Sequence, residues 1–203
     1  MSLTDIPGIG EKLAEKLKKL LAGRKLVDCL KKPEIADVLP QITKVFFKYK
    51  PIDKIPRKML KPIVDKIEKL GALVAGSYRR GKEYCNDLDI LVSRELAADF
   101  ISKISLTEPF AEGAEIVRAL LKISKGIYVF CDVFIYDELP AYLLYATGSK
   151  NFNKMMRGIA KKKGFLLNQH GLFQGGEKIP VSSEQDIFDK IGLRYHEPWE
   201  RNL

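Results

Sequence analysis

Cysteine is scarce in this 203-residue chain: Cys29, Cys85 and Cys131 stand far apart, and no CxxC pair occurs. An odd, scattered set excludes a disulfide framework and a cysteine zinc site, and it points to a reducing compartment. No run of about 18 apolar residues exists, so no membrane-spanning helix and no membrane partner are expected. The opening MSLTDIPGIG lacks the charged and apolar regions of a secretory signal. Long linkers, low-complexity tracts and internal repeats are missing as well. These absences place the protein in the cytosol or nucleus, or the equivalent site in a virus-infected cell.

What the chain does have is apolar content and positive charge. At 46% hydrophobic residues it can build one large or two small domains with real cores. Against 26 Asp+Glu stand 35 Lys+Arg, a formal net charge of +9, which favours a polyanionic partner, with nucleic acid the leading candidate.

From Glu11 to about Lys50 the spacing of Leu13, Leu17, Leu20 and Leu21 predicts a small helical unit with breaks around Gly23 and Pro33. PRKMLKPIVDKIEKLG adds an amphipathic helix ending at Gly71. The texture then changes to strand-like runs at LVAG, DLDILVS, EIVRALLKIS and GIYVFCDVFIYD, with one helical stretch near Leu96 to Ile104. Helical pattern returns from Glu138 to Lys163, broken at ATGSKN. Short strand candidates GFLLN, HGLFQ and KIPVS follow, and then the helical SEQDIFDKIG. The expected fold is mixed α/β (α+β), with a helical module over 1–70 and further divisions at 71–137 and 138–203.

Two features carry chemistry. In GSYRRGKEYCNDLDILV, a strand would project Asp87 and Asp89 from one side, where two carboxylates repel each other. Asp132 interrupts IYVFCDVFIY, which otherwise reads as a central strand, and a lone carboxylate there is costly to bury unless paired or metal-bound. Taken singly, these residues also fit a turn before a strand and a core aspartate paired with an arginine. Together, a pair on one strand and a third carboxylate on another can hold two hard divalent cations, the arrangement of in-line phosphoryl displacement, and magnesium suits it. Gly76-Ser77 followed by Arg79-Arg80 supplies an anion site.

GSYRRG followed by NDLDILV resembles the nucleotidyltransferase signature of family X DNA polymerases, the group of DNA polymerase beta. YATGSKNFNKMMR resembles that family's nucleotide-selection segment, IFDKIGLRYHEPWER its C-terminal end, and LTDIPGIGEKLAEKL its second helix-hairpin-helix. The resemblance implies a palm sheet between a helix-hairpin-helix module and a small α+β subdomain. It implies that Asp87, Asp89 and Asp132 bind two Mg²⁺ ions, for which Mn²⁺ can substitute, with Asp132 accepting the primer hydroxyl proton. It places Ser77 and Arg80 on the β and γ phosphates of a dNTP, with Gly76 allowing close backbone approach and Gly148 and Ser149 adding contacts. It sets Tyr145 against the sugar, Asn153 at the minor-groove edge of the incoming base, and Arg157 on the template strand. Gly8 and Gly10 would let backbone amides approach a DNA phosphate, and the carbonyls of Thr4, Ile6 and Ile9 would hold Na⁺ or K⁺.

The expected protein is a monomeric, template-directed DNA polymerase that fills short gaps in base excision repair, acting on gapped or primer-template DNA. Departures from the family pattern are specific. The chain begins at the hairpin, so no deoxyribose-phosphate lyase activity is expected. Ala146 stands where an aromatic commonly follows the tyrosine, a position that bears on ribonucleotide discrimination. Lys150 replaces an acidic residue, and Phe130 and Phe134 flank Asp132 where DNA polymerase beta has arginines. A template-independent terminal transferase, an RNA nucleotidyltransferase and an idle DNA-binding scaffold are the competing readings. Three retained, mutually repelling carboxylates argue against the scaffold.

Overall fold

The computed structural model describes residues 2–203. The chain divides into two compact units, Met1–Pro51 and Ile52–Leu203. In the first, helices Glu11–Leu21, Pro33–Ala36 and Gln41–Tyr49 and short 3₁₀ turns surround a core of Leu17, Leu21, Leu26, Cys29, Ile35 and Leu39. The predicted breaks fall where their chemistry puts them. Gly23 takes φ +82° just past the first helix, and Pro33 opens the next, where its missing N–H costs nothing.

The second unit begins earlier than the boundary expected near residue 70. Helix Arg57–Lys69 turns Leu60, Ile63, Val64 and Ile67, an i, i+3, i+4, i+7 stripe, into the core that the sheet also occupies. It belongs with the sheet because that apolar face has its partner there.

The sheet has five strands in the order Leu73–Val74, Asp87–Ser93, Ile127–Tyr136, Ile116–Ser124, Ala111–Glu112. Strands 87–93 and 127–136 run parallel, and the other pairs are antiparallel. The parallel pair needs a crossover, supplied in part by helix Arg94–Lys103. Leu88, Ile90, Val92, Cys131, Val133 and Ile135 fill the core on one face together with Phe100 and helix 57–69. The opposite face is only partly covered: helix Leu139–Thr147 packs Tyr142 and Ala146 on Leu91, leaving the Asp87 end of the strand open.

Asp132 sits on that open face. Along Ile127–Tyr136, Val129, Cys131, Val133 and Ile135 are buried while the residues between them are only partly so, and the Asp132 side chain keeps 32% exposure. Every second residue faces out, so the apolar run does not bury the aspartate.

Beyond the sheet, helix Lys150–Lys162, the three-stranded sheet Phe165–Asn168, Gly171–Gln174 and Glu177–Ile179, and helix Glu184–Lys190 enclose a separate core around Phe152, Met156, Leu172 and Phe188. Ser149 and Ser183 cap the two helices, accepting from the N–H groups of Phe152 and Asp186.

Candidate active site

Three charged side chains form a row across the sheet. Asp89 pairs in register with Asp132 on the parallel strand, and Asp132 pairs with Arg118 on the antiparallel one. Residues in register on adjacent strands point to the same face, with strands about 4.8 Å apart. Arg118 Nε donates to Asp132 Oδ2 at 3.2 Å. Sequence reasoning missed this arginine. Its signal was an arginine between the apolar residues of EIVRALLKIS, near the start of the strand that register places beside Asp132. It supplies, from a neighbouring strand, a guanidinium that Phe130 and Phe134 cannot.

Like charge dominates the cluster. Burial, then Asp87 and Asp132, push the Asp89 pKa up to about 8, with Arg80 opposing. Asp87 is raised by partial burial and by Asp132. Asp132 is raised by burial, with Arg118 pulling it down. Carboxylates in this state lack positive charge, and a divalent cation would supply it. Among the described residues no group of three or more His, Cys, Asp or Glu side chains forms a metal cage. The three carboxylates are oxygen donors of the kind that hard divalent cations take.

Gly76 is needed for a reason other than the one its motif suggests. A Cβ there would lie 1.8 Å from Asp89 Oδ2, and its φ is +56°. The space beside Gly76 is filled by the aspartate, so the missing side chain seats Asp89, a role besides the close backbone approach to phosphate expected from the sequence.

A cleft of about 480 Å³ opens at the Asp89 end of this row, lined by Ser77, Arg80, Asp87, Asp89, Tyr145, Gly148, Asn153 and Arg157 among others, with Asp132 beside Asp89 just outside its lining. Residues from three separated stretches of sequence thus meet on one surface. Ala146 and Lys150 also line it. Ser77 Oγ is enclosed and makes no hydrogen bond of normal geometry. Arg80 Nε donates to Asn202 Oδ1 at 3.0 Å, and its Nη1 donates to the Thr147 carbonyl. Ser149 is turned to other tasks: besides capping its helix, its hydroxyl donates to the Leu203 carbonyl at 3.0 Å. Asn153 Nδ2 donates to the Tyr145 carbonyl at 2.7 Å, which fixes the amide at the wall of the cleft.

Next to the cleft lies an ion-pair network built on one carboxylate. Glu184, 6% exposed, meets Arg79 at 2.7 Å and the fully buried Arg201 at 2.5 Å. Burial alone would raise the Glu184 pKa, but hydrogen bonds and charge from Arg79 and Arg201 outweigh it and leave it lowered. This network joins helix Gly76–Arg79 to the C-terminal core.

In the first unit, Gly8 has φ +85°, and a Cβ there would meet Ile42 Cγ2 at 2.5 Å. Its space is filled by protein, and the Pro7 carbonyl accepts from Thr43 Oγ1 at 2.7 Å. Gly10 faces open space and precedes helix Glu11–Leu21. The Ile6 carbonyl accepts from the Ile9 N–H at 3.1 Å, and Thr4 lies in a 3₁₀ turn.

The comparisons with known proteins agree with this architecture. The family models for the DNA polymerase beta palm and the DNA polymerase beta thumb match residues 50–137 and 142–202. The chain belongs to the DNA polymerase beta family, family X. It is 30% identical to rat DNA polymerase lambda over 165 residues, 64% of this chain and 28% of that protein. It is 43% identical to DNA polymerase IV of Saccharomyces cerevisiae over 68 residues, 34% of this chain and 12% of that protein. Against Xenopus laevis DNA nucleotidylexotransferase it is 40% identical over 70 residues, 33% of this chain and 14% of that protein. The chain thus spans less than a third of the length of these curated relatives. The fold matches Leishmania infantum polymerase beta in its ternary primer–template complex with a TM-score of 0.82 at 24% identity, covering 100% of this chain and 97% of that one. The gap complex of the same protein gives 0.83 at 24% identity, covering 100% and 89%.

Proposed function

We propose that the chain is a template-directed DNA polymerase that adds deoxynucleotides to a primer 3′-hydroxyl in short gaps and releases pyrophosphate, in DNA repair. The observation that carries this is the meeting of Asp87, Asp89 and Asp132 on one open sheet face with Ser77, Arg80, Tyr145, Asn153 and Arg157 around a single cleft. Solved relatives of the same fold are complexes with primer–template and gapped DNA, and a basic chain suits such a partner.

In this reading Asp87, Asp89 and Asp132 hold two Mg²⁺ ions, which would lower the pKa of the attacking hydroxyl and neutralise the leaving pyrophosphate. Asp132 takes the hydroxyl proton. Arg80 and the Ser77 hydroxyl bind the triphosphate, giving that enclosed hydroxyl a phosphate acceptor. Gly148 lines the cleft beside Arg80 and Ser149 follows it in the chain, while Gly76 seats Asp89. Tyr145 packs edge-on to Phe134 and Tyr142, a rigid floor for the sugar. Asn153 and Arg157, one helical turn apart, read the groove and the template strand. In the first unit, Gly10 and the helix that follows bind backbone phosphate, and the Thr4, Ile6 and Ile9 carbonyls accept a monovalent cation. Ile6 has a second lone pair for it.

The test is Mg²⁺-dependent extension of a labelled primer across a one-nucleotide gap. Each template base is offered with dNTPs and rNTPs singly, beside Asp132→Ala. Template-matched addition lost in the variant is the expected result, and the rNTP lanes report what Ala146 permits. Addition that ignores the template would favour a terminal transferase, the activity named in the Xenopus relative. DNA binding without addition would overturn the enzyme reading.

A further inference from the structure

We propose that Asn202 is a positioning residue for the nucleotide site: it fixes the Arg80 guanidinium so that its remaining nitrogen, Nη2, is presented to the triphosphate. This rests on the polymerase reading and goes beyond it by naming what orients the phosphate-binding arginine.

Arg80 Nε donates to Asn202 Oδ1 at 3.0 Å, and Asn202 Nδ2 donates back to the Arg80 carbonyl at 3.3 Å. Nδ2 also reaches the Trp199 carbonyl at 3.0 Å. Only one amide orientation serves all of these contacts, since a guanidinium nitrogen must donate and a carbonyl must accept. On the other side Nη1 donates to the Thr147 carbonyl, and a Cβ at Gly148 would stand 3.1 Å from that nitrogen. Two of the three guanidinium nitrogens are therefore held by protein, and the fork is left with one end for an anion.

The neighbouring residues explain why an exposed contact holds its place. Arg79 and Arg201, next in sequence to Arg80 and Asn202, are clamped by the same buried Glu184. Arg201 Nε also donates to the His196 carbonyl at 2.8 Å, and its side chain lies over the rings of Phe188 and Tyr195. The buried clamp sets the spacing of the exposed pair. An unrestrained arginine loses rotamer freedom when it grips a phosphate, and one already held loses less.

The triphosphate carries most of its charge before the bond breaks, so a contact to it is made largely in the ground state, and loosening that contact appears mainly in KM. Asn202→Ala is expected to raise KM for a template-matched dNTP about 5- to 10-fold, with kcat within about 2-fold and the melting temperature unchanged. Equilibrium binding of the same dNTP to enzyme on gapped DNA with a dideoxy-terminated primer should weaken equally. In an Arg80→Ala background, Asn202→Ala should add nothing, because the two act as one unit. An unchanged KM in Asn202→Ala would overturn the inference. So would an equal KM rise with and without Arg80, or a fall in melting temperature with kcat lost and KM kept. If wild type neither binds nor incorporates any dNTP, the polymerase reading itself fails, a result that the variants do not mimic.

Discussion

Two clusters of charge, one buried and one on an open sheet face, lie within one unit of this protein and behave in opposite ways. Around Glu184 positive charge is in excess: one carboxylate lies between two guanidinium groups, and its pKa falls below the ordinary range. On the open sheet face three carboxylates have only Arg118, bonded to Asp132, and the nearby charge of Arg80 to offset them among the described residues, and Asp89 is pushed up to about 8. The first cluster pairs its carboxylate twice over within the chain and holds the C-terminal core to helix Gly76–Arg79. The second is deficient in positive charge and faces a cleft. Unbalanced charge at an accessible site requires something from outside the chain, which is the physical signature of a functional site.

The comparison is sharpened most strongly by removing one carboxylate from each cluster. Asp89→Asn should cut Mg²⁺-dependent incorporation by about a thousandfold or more, since metal-ion stabilisation is worth several kcal/mol. Its thermal stability in metal-free buffer should hold or rise, because like-charge repulsion is relieved. A melting temperature that falls by many degrees would show that the aspartate is structural. Glu184→Gln should do the reverse: chemical denaturation is expected to show a loss of about 3–5 kcal/mol, the cost of leaving buried guanidinium groups uncompensated. Little loss would mean that the network is not the fastening described here.

Acid separates the clusters further. The Glu184 pKa is depressed in the fold, so its contribution is present above the ordinary value of 4.5 and lost as pH falls through its lower folded value. The stability gap between wild type and Glu184→Gln should narrow as pH drops below about 4.5, measured by urea midpoints. A gap that is constant to the lowest accessible pH would assign the loss to packing. The smallest effect is expected at Arg118, which is 48% exposed. Arg118→Ala should change stability by no more than about 1 kcal/mol, and a larger loss would show that the Asp132 pair is structural.

Much of the architecture was legible in local pattern. Strands 87–93, 116–124 and 127–136 and helices 94–103 and 150–162 lie within a residue or two of where periodicity puts them. Gly71 follows its helix at φ +83° as a C-terminal glycine should. The unit boundary was not legible, because an amphipathic stripe announces that it needs a partner but not which one. Helix 57–69 found the sheet instead of the N-terminal helices.

The same division holds at the site. Sequence alone determined that Asp87 and Asp89 share a face, since alternation along a strand is a local property. It also determined that Gly76, Ser77 and Arg80 come with them, because they are near in the chain. Tertiary structure decided the rest. Strand register set Asp132 beside Asp89 and brought Arg118 to Asp132. Folding of the C-terminal core carried Asn202 back across 122 positions to Arg80. Contacts of that sequence separation are fixed by which surfaces bury each other, and no stretch of chain short enough to read locally contains that information.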